Sequence, residues 1–148
     1  MQPTQDVFAA LPAERAEIAE MSRAACRAVL TPAAPGGLSL PWRHAVAARI
    51  CAKHGQDALA VARLAGTDDD TRALADPGFA GRDARERAVL AFVDGVAVQP
   101  RTVTAEDLAG LKAAGVADAD IVRLCELAAY LAYECRVAAG LALMQGGR

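Results

Sequence analysis

Three residues in one short stretch hold the most reactive side chains of the sequence: His44, Cys51 and His54. On a helix, His44 and Cys51 are seven apart and share a face, while Cys51 and His54 are three apart and touch. An imidazole beside a thiol lowers its pKa, which would make Cys51 a nucleophile or a peroxide-reducing thiol with His54 and His44 as catalytic partners. Either histidine is alternatively a general acid or base acting on a small carbonyl or carboxylate compound. The competing reading is structural: an inert cysteine packed in an Ala-rich core, with the histidines facing loops or a neighbouring subunit. A metal site is not expected, because ten residues of helix put His44 and His54 ~15 Å apart and no carboxylate or HxxxH set stands beside them.

A second group lies near the C-terminus, where Glu126, Tyr130 and Glu134 follow one another at i, i+4 spacing beside Tyr133. Acid and phenol converging on a cavity bind a polar substrate or move protons. Trp42, the sole tryptophan, joins Tyr130, Tyr133 and Glu134 as a candidate substrate-binding set. The same residues equally suit a subunit interface, where tyrosine is favoured, or a satisfied polar seam.

Glycine, proline and aspartate divide the chain into the helices that must position these groups, and no stretch alternates long enough for a strand, so the fold class expected is all-α. After an N-terminal arm over 1–11, a helix is expected from about Pro12 to Leu30. TPAAPGG then breaks the chain. Ser39 caps a second helix from about Leu40 to Lys53, and Gly55 kinks or interrupts it before a stretch from Gln56 to Ala65 that ends at Gly66. Asp68 to Asp70 suits the start of a short helix. A further helix spans about Ala84 to Val98, stopped by Pro100. Thr104 and Asp107 form a capping box, Gly115 closes that helix, and the last helix runs from about Asp118 to Met144, apolar nearly all round.

The 148 residues match one domain, read as a single unit over the whole chain. Hydrophobic residues make up 54% but aromatics only 4%, so the core is largely Ala, Val and Leu. Each Ala buries little apolar area, which favours association into a homo-oligomer. Sixteen basic against eighteen acidic residues, interspersed to a net charge of −2, give no attraction for nucleic acid or an anionic membrane. The N-terminal residues lack a leader pattern, and no ~18-residue uninterrupted apolar run argues for a membrane span, so a cytoplasmic location is expected. The cysteines, Cys26, Cys51, Cys125 and Cys135, show no paired spacing. Cys125 and Cys135 on one helix stand ~15 Å apart, too far for a disulfide, and all four read as reduced thiols, mostly buried.

Three stretches, LSLPWRHAVAARICAKHGQDALA (38–60), ERAVLAFVDGVAVQPRTVTAEDLAGLKAAGVADADIVRL (86–124) and AAYLAYECRVAAGL (128–141), together resemble the carboxymuconolactone decarboxylase superfamily, on its alkylhydroperoxidase-D-like, peroxidase-related side. The resemblance implies an all-α bundle assembling into trimers or hexamers around a small cavity, with an antioxidant oxidoreductase activity; together with the Ala-rich composition a dimer, trimer or hexamer is expected, with no cofactor. Active members of that branch carry a glutamate, a CxxC pair and a distal histidine. Laid over this sequence, Gln56 and Leu59 take the cysteine positions, His44 falls near the glutamate, and Ala62 or Arg63 takes the histidine position. The resemblance therefore supports the lineage and argues against the dithiol reaction, so no intramolecular disulfide is expected under peroxide. Three readings follow: a peroxidase-related enzyme working through Cys51 alone, a non-redox decarboxylase or isomerase on a small molecule, and an inactive small-molecule-binding oligomer.

Overall fold

The structure, a computed structural model, describes residues 6–146. Among them are six α-helices and no strand: α1 (Ala16–Leu30), α2 (Leu40–Lys53), α3 (Asp57–Arg63), α4 (Ala84–Val98), α5 (Ala105–Ala113) and α6 (Asp118–Met144). Short 3-10 turns at Val7–Ala10, Ala13–Arg15, Leu64–Gly66, Arg72–Ala75 and Pro100–Thr102 connect or extend them. The acidic run at Asp68 to Asp70 thus opens a 3-10 turn rather than an α-helix, and the first helix begins four residues later than expected, behind the Ala13–Arg15 turn. Residues 1–5 of the arm lie outside the described residues.

Two helices carry the core. Along α2, every residue from Ala45 to Cys51 is buried, because small side chains at Ala45, Ala47 and Ala48 let neighbours approach from all sides. The 27 residues of α6 are long and apolar enough to span a bilayer by length and composition, but here the helix packs against α1, α2, α4 and α5. It buries Leu124, Leu127, Ala128 and Leu131 completely, the profile of a central core helix.

Buried arginines fasten the connections. Arg43 on α2 donates from Nε to the Leu38 carbonyl at 2.9 Å, and from its two terminal nitrogens to the carbonyls of Val29 and Pro35 at 2.8 Å each. The end of α1, the 31–38 loop and the start of α2 are thereby held as one piece. Arg49 pairs with Asp94 of α4 through two bonds of 2.9 and 2.8 Å and also donates to the Asp76 and Phe79 carbonyls. Caps set the helix starts: the Ser39 hydroxyl accepts from the Trp42 N–H, and Asp83 accepts from the Glu86 N–H. The Thr104–Asp107 capping box is present as expected.

Candidate functional site

A third buried arginine builds the site. Arg63, at the end of α3, faces Glu134 of α6, and its Nη2 donates to both carboxylate oxygens at 2.7 Å. The two side chains are only 10% and 4% exposed, so this is a desolvated ion pair. Burial works against the Arg63 charge, but the carboxylate of Glu134 outweighs it and holds the guanidinium pKa above its ordinary value. Tyr130, one turn before Glu134 on α6, donates its hydroxyl to Glu134 Oε1 at 3.3 Å. Burial first, and then the Glu134 charge, push the Tyr130 phenol up, so it stays protonated across the physiological range.

The same Arg63 Nη2 lies 3.7 Å from the Cys26 sulfur of α1. Cys26, Arg63, Tyr130 and Glu134 line one side of a pocket of about 260 Å³, closed on the other by Asp6 and Phe8 of the N-terminal turn and by Arg23 and Arg27. The turn is held there by Arg23, which donates to Asp6 at 2.8 Å, and by Phe8, stacked on Tyr133 with ring centroids 6.0 Å apart. Tyr133 shares a hydrogen bond of 2.9 Å with Ser22. Within this pocket wall Arg63 Nε is a buried donor with no hydrogen-bond partner. A larger groove between α4 and α5, lined by Ala88, Phe92, Thr102 and Glu106 among others, holds neither thiol nor imidazole.

The sequence-derived triad lies along α2, with His54 at its C-terminal end. Cys51 is wholly buried, and its sulfur meets Cys135 of α6 at 3.7 Å. His54 ends α2, where its Nε2 bonds the Ala97 carbonyl of α4 at 3.1 Å. His44 packs its ring against Gly66, so closely that a methyl group there would sit 2.3 Å from the ring. Its Nδ1 is buried without a partner, and burial first, then the Arg63 charge, lower its pKa against a backbone interaction with Arg63 that raises it. None of the three residues lines the pocket.

Of the proposed binding residues, Tyr130 and Glu134 line the pocket directly. Tyr133 supports its Phe8 wall, and Trp42 is half-buried, packed against the core from the first turn of α2. Glu126 is exposed. Sequence reasoning missed Cys26 and Arg63 as functional residues. Arg63 offered one signal, a lone cation closing the otherwise apolar stretch ALAVAR, and Cys26 offered none. Among the described residues, no three His, Cys, Asp or Glu side chains cluster as a metal site. Compared with known proteins, the chain matches no family model and no curated sequence.

Proposed function

We propose that this chain is a peroxidase-related thiol oxidoreductase of the alkylhydroperoxidase-D-like type, a cytoplasmic homo-oligomer that works without a CxxC centre and reduces a small hydroperoxide at Cys26. The observation that carries the reading is the Cys26 sulfur 3.7 Å from the Arg63 guanidinium inside a pocket. The thiol faces a pocket in which a fixed cation and a phenol stand on the same wall. Cys26 replaces Cys51 as nucleophile because Cys51 does not line the pocket that would hold an alkyl hydroperoxide and its pKa is raised, first by its hydrogen bond with Cys135 and then by burial.

The sulfur of Cys26 attacks the hydroperoxide, the O–O bond breaks, and an alcohol leaves with the proton, giving the sulfenic acid. Two external thiols then return Cys26 to the thiol, releasing water and their own disulfide. Arg63 and Tyr130 stand on the same pocket wall as Cys26 and are the polar groups there that would meet a bound hydroperoxide. The test is thiol-dependent consumption of a small alkyl hydroperoxide. Cys26→Ser is expected to abolish it and a limiting alkylating reagent to label Cys26 first; unchanged turnover in Cys26→Ser refutes the reading.

A further inference from the structure

The fold assembles a thiol pair that the sequence disguises. Cys51 and Cys135 are 84 residues apart in the chain, yet α2 and α6 bring their sulfurs to 3.7 Å, both buried. A disulfide bond is ~2.05 Å long, so small side-chain movements separate the reduced pair from a bridge. We propose that Cys51 and Cys135 form a redox-active dithiol that hydrogen peroxide oxidises to an intramolecular disulfide joining α2 to α6.

The surroundings suit that reaction. With the sulfurs in contact, ionising one lets the other donate its S–H to the thiolate. The Cys135 pKa is accordingly lowered, first by the hydrogen bond to Cys51, with the charges of Arg63 and Arg136 helping against burial and Glu134. Cys51 holds its proton more tightly for the complementary reason, its bond to Cys135 and its burial. Either sulfur can thus attack first, with the other resolving it. Cys135 is next in the chain to Glu134, whose ion pair with Arg63 walls the pocket, and both sulfurs feel that pair's charges.

The balance closes on these two residues and one oxidant. The thiolate of one cysteine attacks one peroxide oxygen, the O–O bond breaks, and hydroxide leaves and is protonated to water. The other sulfur then attacks that sulfenic acid, the S–O bond breaks, and a second water departs with the second thiol's proton. Two thiols have lost two electrons and two protons to one peroxide. This departs from the expectation of no intramolecular disulfide, which rested on Gln56 and Leu59 standing at the aligned cysteine positions and not on cysteines that two packed helices bring together.

The experiment uses the full reduced chain, treated with hydrogen peroxide, then denatured and alkylated with N-ethylmaleimide. The expected product has lost two hydrogens and takes two labels fewer. Trypsin should link the peptide over residues 50–53 to that over 124–136, and fragmentation should place the bridge on Cys135 rather than Cys125, which shares the second peptide. The Cys26→Ser variant should form the same bridge, which keeps the outcome separate from the Cys26 peroxidase reading. Four labelled thiols after oxidation, a bridge through Cys125 or Cys26, or loss of the bridge in Cys26→Ser would each overturn the proposal. Because the wild-type map needs no substitution at Cys51 or Cys135, a folding defect in such variants does not affect the result.

Discussion

At Arg63 a single terminal nitrogen serves two carboxylate oxygens and lies beside a thiol, all but out of reach of water. Removing one partner of such a pair leaves a buried charge uncompensated, which costs about 3–5 kcal/mol, whereas replacing both with apolar residues is far milder. Glu134→Leu should therefore lower the urea midpoint sharply, and the double variant Arg63→Leu/Glu134→Leu should recover most of the loss. A double variant as unstable as the single one would refute this account. His44 gives a second residue-scale prediction. Its imidazole pKa is lowered in the fold, chiefly by burial, so the unfolded chain takes up the proton first as the pH falls below about 6.5. The stability His44 contributes is full above that pH and is lost as the pH falls through the lower folded value. Between pH 7 and 5.5, chemical denaturation should show His44→Gln losing less stability than the wild type.

At the scale of elements, α2 and the turn after α3 meet at Gly66, where the His44 ring occupies the space a side chain would need. Gly66→Ala forces the ring or the turn to move, at about 1–3 kcal/mol as for other overpacked sites. Thermal unfolding checks it, and an unchanged midpoint would show that the turn yields freely. This is also where sequence reasoning reached its limit. The bounds of α2, α4 and α6 are legible because Ser39, the break before Ala84, Pro100 and Gly115 are local signals, and Gly55, with φ of 69°, makes the turn between α2 and α3. The i, i+4 pair Tyr130 and Glu134 is legible for the same reason. Arg63 with Glu134, Cys26 with Arg63 and Cys51 with Cys135 are not, since each contact joins different helices and no residue spacing encodes how helices pack.

For the molecule as a whole, the described surface keeps Met21, Val61, Val122, Leu143 and Met144 more than half exposed, on α1, α3 and α6. Leu143 and Met144 are neighbours, while the other three stand singly, as is ordinary on a protein surface. With an Ala-rich core that buries little area per residue, they are also available apolar surface for the assembly proposed above, and light scattering at micromolar concentration should give a multiple of the monomer mass. A clean monomer would remove the oligomer from the proposal.

The three carbonyls gathered by Arg43 bear on how the protein meets a protease. By composition, residues 31–38 look like the place to cut, a run of Pro, Ala and Gly between two helices. A protease must draw several residues of its substrate into an extended strand, and here Val29, Pro35 and Leu38 are tied to one buried guanidinium while the Gly37 N–H is held by Asp120. Brief digestion with subtilisin should spare this loop in the native protein, and Arg43→Met should turn it into the first site of cleavage.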